Sequence, residues 1–194
     1  MRAEDRRELI IGAAMGVFGD YGYVGTTTDQ VAKAAGVSQP YVVRIFGTKE
    51  NLFLEVLERA LATLMSDFRR ALADAGDVPL YVRLGRAYFN LLSNRGLLLS
   101  LMHGFVLGSD PKIGARAREG YLEVYTFLRD EAGFGSSDAM QFLANGMLIN
   151  TMVGLRMGDE YETNPVAREL LQVAFPEKLD LLLELGKANK PDGA

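Results

Sequence analysis

Gln39, Tyr41, Arg44 and Lys49 fall within one short run, SQPYVVRIFGTKE at residues 38–50, and their side chains suit contact with nucleic acid. An amide such as Gln39 bonds base edges, and a guanidinium such as Arg44 pairs with guanine or phosphate. Tyr41 offers a ring to a thymine methyl or a hydroxyl to phosphate, and Lys49 adds an ammonium. The hydroxyls of Thr26, Thr27 and Thr28 lie upstream for the sugar-phosphate backbone. Catalytic chemistry has thinner support. The chain of 194 residues has no cysteine and a single histidine, His103, which excludes disulfides, thiolate metal sites and paired-histidine metal sites. An enzyme built from these residues would work through carboxylates or a bound cofactor, and no motif implies either, so neither an enzyme nor a cofactor or metal is expected.

Bulk charge gives no lead to a partner. The net charge is −4. Over residues 1–50 the signs cancel, so the deficit lies in the remainder; local basic groups, not the average, decide a nucleic-acid surface. With 48% hydrophobic and 24% charged residues the chain has the balance of an ordinary globular protein. The N-terminus lacks the features of a secretory signal. The least charged run, residues 139–155, is shorter than a membrane span and carries Gln141, Asn145 and Asn150. A cytoplasmic protein is expected.

The elements that would position these residues are helices throughout. Apolar spacing at i, i+3, i+4 dominates and no alternating strand pattern occurs, so the fold class is all-α. A first helix over about 4–20 carries the stripe Leu9, Ile10, Ala13, Ala14, Val17 and Phe18, and GDYGY ends it. Thr27-Thr28-Asp29-Gln30 has capping-box spacing and opens a helix to Ala35, stopped by Gly36. A third helix covers Pro40–Phe46, with Ser38 or Gln39 as its cap. It turns Val42, Ile45 and Phe46 inward and leaves Gln39, Tyr41, Val43 and Arg44 outside. Thr48 caps a long fourth helix from Lys49 to about Leu72. Further helices are expected over 79–93, 96–108, 111–132, 137–157, 165–174 and 177–187.

Two short helices joined by a glycine turn, with small residues such as Ala32 and Ala35 at their crossing, read as a helix-turn-helix whose second helix presents side chains to a major groove. A purely structural two-helix turn inside a bundle has the same local pattern.

The run FGDYGYVGTTTDQVAKAAGVSQPYVVRIFGTKENLF resembles the N-terminal domain of the tetracycline-repressor (TetR) family, over roughly residues 8–57. The aromatic-Gly-aromatic, TT, AxxAGVS and F-x-T-K-E elements occur together, in order. The resemblance implies an N-terminal three-helix helix-turn-helix DNA-binding domain over 1–50, linked by the helix from 49 to a helical effector-binding and dimerisation domain over 51–190. It implies a homodimer on a palindromic operator, a ligand-responsive transcriptional regulator acting as a repressor and released by a small-molecule effector. DNA contacts then fall on Thr27, Thr28, Ser38, Gln39, Pro40, Tyr41, Arg44 and Lys49. The family often has Tyr where this chain has Val43, and Thr or a small residue where it has Tyr41, so whether Tyr41 supplies the tyrosine-to-phosphate contact is open. The rival class is a helical small-molecule-binding or enzymatic protein that keeps the helix-turn-helix as structure.

Beyond residue 57 only patterns speak. Tyr121, Tyr125 and Leu128 recur at i, i+4, i+7, and Phe89, Met102, Phe105 and Met147 are candidates to face them around a largely apolar effector, with methionines supplying adaptability. The same stripe is equally the pattern of plain core. His103, on an apolar helix, reads as a hydrogen-bonded core residue, with a polar anchor for the effector as the alternative. The 137–157 helix is apolar on two sides, one with Met140, Leu143, Met147 and Leu155 and the other with Phe142, Gly146, Ile149 and Val153. A helix apolar on two sides packs on its own core and on a second subunit; Phe142, Gly146, Ile149 and Val153 are the candidate dimer face. The acidic run Asp159, Glu160, Glu162 reads as a solvated connection.

Overall fold

The computed structural model describes residues 3–74, 76–175, 179 and 183. Among the described residues every regular element is helical: α1 (Ala3–Gly25), α2 (Thr28–Ala34), α3 (Gln39–Phe46), α4 (Lys49–Ala73), α5 (Leu80–Asn90), α6 (Arg95–Val106), α7 (Ile113–Thr126), α8 (Ser136–Gly154) and α9 (Pro165–Ala174). All but Leu179 and Leu183 of the helix expected over 177–187 lie outside the described residues. By internal contacts the chain groups into two compact units, Met1–Met140 and Gln141–Ala194. The first three helices thus share a unit with α4 to α7, and residue 50 is not a packing boundary. Among the described residues no helix is long and apolar enough to cross a membrane.

Local chemistry accounts for the first elements. Thr27 caps α2 through the reciprocal pair expected of a capping box: the Gln30 amide donates to Thr27 Oγ1 at 3.2 Å and the Thr27 amide to Gln30 Oε1 at 2.7 Å. Ser38 is the N-cap of α3, so Gln39 is already helical and Pro40 sits in the first turn, where its missing N–H costs no helical bond. Thr48 caps α4 by accepting from the Asn51 amide at 3.1 Å. All of Leu52, Phe53, Val56, Leu57, Ala60, Leu64 and Phe68 on α4 are buried as their spacing requires.

Two expectations shift by a rotation. On α1 the buried face is Ile10, Ile11, Ala14, Met15 and Phe18, whereas Leu9 is 46% exposed. The reason is the partner: α1 lies against α6 so closely that a Cβ on Gly96 would meet Met15 O at 2.8 Å and Gly16 Cα at 2.9 Å. Ser100 Oγ, fully buried, donates to Met15 O at 3.1 Å across the same contact. On α7 the stripe Tyr121, Tyr125, Leu128 does not stay on one side. The helix passes into a π-turn at Phe127–Glu131, with the Ala132 amide bonded to Phe127 O at 2.9 Å. Phe127 and Leu128 are both buried in that wider turn, whereas Tyr121, upstream on α7, is on the surface.

Helix α1 also runs past its expected end, but with a break. Gly22 takes φ 69°, ψ 173° inside it, and a Cβ there would lie 3.2 Å from Cε1 of His103 on α6. Glycine is required twice over, for the backbone and for the space.

Candidate nucleic-acid interface

Helices α2 and α3 meet through Val31, Ala32, Ala35 and Val42, all buried, and α3 closes on the floor through Phe46. What remains outside is the set read from the sequence. Ser38, Pro40 and Arg44 are exposed; Thr28, Gln39 and Tyr41 are half-buried; Val43 is exposed. Ile45, expected inside, is only half-buried.

The structure binds these side chains to one another. Gln39 Nε2 donates to Thr28 Oγ1 at 3.1 Å, tying the first turn of α3 to that of α2. The Arg44 guanidinium lies over the Tyr41 ring, 4.7 Å from its centroid. Arg6, from the first turns of α1, reaches the same ring at 5.9 Å. Arg6 was not found by sequence reasoning: it lies far from the helix-turn-helix in sequence, and the pair Arg6-Arg7 gave no hint of direction. Arg7 is turned to structural use, ion-paired with Glu55 and stacked 4.8 Å from the Phe46 centroid.

Two residues offered to a phosphate backbone are otherwise engaged. Thr26 is buried, and its hydroxyl donates to Gly22 O at 2.7 Å, so it holds the kink of α1. Lys49 Nζ donates to Tyr23 O at 2.8 Å and Thr26 O at 3.0 Å, and sits 4.6 Å from the Tyr23 ring centroid. One of its three N–H groups remains for anything else. Burial raises the Tyr23 phenol above its usual pKa, with the Glu50 and Asp110 carboxylates adding to the effect.

The residues expected to line an effector pocket are only partly brought together. Phe105 and Tyr121 meet edge to face at 5.7 Å. Phe89 and Leu128 are buried, Met102 and Tyr125 half-buried. His103 packs its ring on Gly22 of α1. Met147 belongs to the second unit. Of the four residues expected to form a dimer face, Phe142 is buried, and Gly146, Ile149 and Val153 are half-buried. The large exposed apolar side chains of α8 are Met140 at 61% and Leu148 at 49%, and Leu155, just past its end, is 65% exposed.

A short helix held across a small-residue contact, with its polar and aromatic side outward on a helical floor, defines a helix-turn-helix protein. Residues 10–56 match the tetR family of bacterial regulatory proteins. It is 31% identical over 118 residues to the HTH-type transcriptional activator FasR of Mycolicibacterium smegmatis, covering 59% of this chain and 53% of that protein. It is 32% identical over 82 residues to the HTH-type transcriptional regulator RutR of Escherichia coli, 41% of this chain and 39% of that one. The matches thus span about half or less of the curated relatives. A TetR-like transcriptional regulator from Rhodococcus sp. RHA1 superposes with a TM-score of 0.60 at 19% identity, over 98% of this chain and 100% of that one. A tetR-family regulator from Streptomyces coelicolor does so with a TM-score of 0.59 at 22% identity, over 100% and 93%. The fold is shared along the length of the chain, well beyond the segment where sequence is.

Proposed function

We propose that the protein is a ligand-responsive transcriptional regulator that binds a palindromic operator as a homodimer and is released from it by a small-molecule effector. The observation that carries this reading is the Arg6–Tyr41–Arg44 cluster on the outer side of α3, beside the Gln39–Thr28 pair. Two cations braced by one aromatic ring, next to an amide, are suited to phosphate and base edges and supply no packing to the floor. In this division of labour residues 1–50 read DNA, and the helices after residue 50 take the effector and the second subunit. Tyr41, not Val43, offers the ring hydroxyl to phosphate.

The dimer face we assign to the second unit: Leu148 on α8 and Leu155 just past its end, together with Val166, Leu170 and Val173, which are exposed at i, i+4, i+7 on α9. Exposed stripes of this kind are what a second copy covers. A two-fold pair would set its α3 helices about 34–36 Å apart, one turn of the double helix. The effector then acts as a coupling free energy, favouring the conformer that DNA disfavours. Repression is the sign we propose, by occupancy of the operator, in the cytoplasm where the chromosome lies.

The test is selection of bound duplexes from a random pool at near-physiological salt, with wild type and Arg44→Ala in parallel. An inverted repeat recovered by wild type and lost by the variant supports the reading. Arg44→Ala is expected to weaken operator binding by about 1–3 kcal/mol with an unchanged melting temperature. A folded wild type that recovers no sequence above background rejects it in favour of the rival ligand-binding class. A reporter behind the selected operator reads the sign of regulation.

A further inference from the structure

Arg83 is the side chain that the protein leaves unsatisfied. Among the described residues its Nε and Nη1 are sealed from solvent with no hydrogen-bond partner. It lies on α5 beside the wholly buried Leu84, on the side it shares with Leu80, Ala87 and Leu91 by helical spacing. That helix packs on α4, where Phe68 joins Tyr88 at 6.3 Å and Phe127 at 5.8 Å.

A guanidinium stays charged at any physiological pH, and two of its N–H donors sealed from water with no acceptor are an unfavourable arrangement for a half-buried side chain. Water would satisfy the N–H groups but bring no charge. Carboxylate and phosphate oxygens do both, accepting charge-assisted hydrogen bonds while supplying a negative charge.

We propose that Arg83 anchors the head group of an anionic effector, a carboxylate or phosphate monoester carrying an apolar body. The inference rests on the reading above that the helices after residue 50 take a small-molecule effector, and it names the chemical class of that effector. The head pairs with Arg83 and the body lies among apolar side chains. Specificity then comes from the charge, because an uncharged molecule of the same shape would leave the guanidinium unpaired.

The experiment is thermal melting of the full chain, wild type and Arg83→Met, with octanoate, octyl phosphate or octan-1-ol below their micellar concentrations. At least one anion is expected to raise the wild-type Tm by about 5 °C. Octanol should not, and the variant should respond to none of the three. Without ligand, Arg83→Met is expected to melt no lower than wild type, because two sealed donors that lack acceptors have been removed. Preference for octanoate or for octyl phosphate tells the carboxylate from the phosphate head. Three results overturn the proposal: no anion shifts the wild type; octanol or the variant matches the anion response; or Arg83→Met melts several degrees lower, which would make Arg83 a structural residue. Operator selection, run separately, keeps the two readings apart. Operator binding without an anion response removes only this inference, whereas an anion response without operator binding removes the regulator.

Discussion

Arg44 and Lys49 are both cations at the helix-turn-helix, yet their bonds give them different tasks. Arg44 is exposed and lies over the Tyr41 ring, while Lys49 Nζ holds the carbonyls of Tyr23 and Thr26. The two substitutions should therefore separate. Lys49→Met is expected to lower stability by about 2 kcal/mol, because two charge-assisted bonds are lost and two carbonyls at the end of α1 lose their donor. Operator affinity measured well below the melting temperature should fall less than it does for Arg44→Ala. Denaturant unfolding and a binding titration on the same preparations check this, and a Lys49 variant with unchanged stability would return that residue to the DNA surface. At this scale the sequence was legible as a set of residue types. Gln39, Tyr41 and Arg44 announce their chemistry by kind and spacing, whereas Thr26 and Lys49 look identical to DNA contacts until the carbonyls they serve are placed.

At the scale of elements, α1 approaches α6 backbone to backbone, where Gly96 lies on Met15 and Gly16. Backbone cannot move aside as a flexible side chain can. Gly96→Ala is therefore expected to destabilise by about 1–3 kcal/mol through overpacking, a fall in Tm of roughly 2–4 °C for each kcal/mol in a chain of this size. Calorimetry decides it, and a variant melting with wild type would mean that α6 stands farther from α1. Caps and breakers were readable in advance because they act within a turn: Thr27 with Gln30, Thr48 with Asn51, Gly36 after α2. The rotation of α1 and the π-turn after α7 were not. Each is set by what the helix packs against, and a periodic stripe gives a face only to within a residue or so.

At the scale of the whole molecule, the proposed homodimer makes its own prediction about which apolar surface a second copy covers. Leu148→Asp places a charge on the exposed side of α8 and should yield folded monomers that bind the operator weakly, in sedimentation and in a binding assay. Ile149→Asp places the charge on the half-buried side and is expected to lower the melting temperature instead. A Leu148→Asp protein that sediments as an intact dimer would move the interface elsewhere.

By itself, the sequence determined the all-helical class, the positions of the first four helices and the residues of the helix-turn-helix, because capping, glycine turns and helical periodicity are interactions between residues a few positions apart. Tertiary structure alone decided that Arg6 joins Tyr41, that Lys49 and Thr26 serve the backbone of α1, which side of α8 is open, and that two nitrogens of Arg83 are sealed without a partner. Those outcomes depend on burial and on partners distant in the chain, and the free energy of a charge or an apolar side chain is set by its surroundings, which local sequence does not carry.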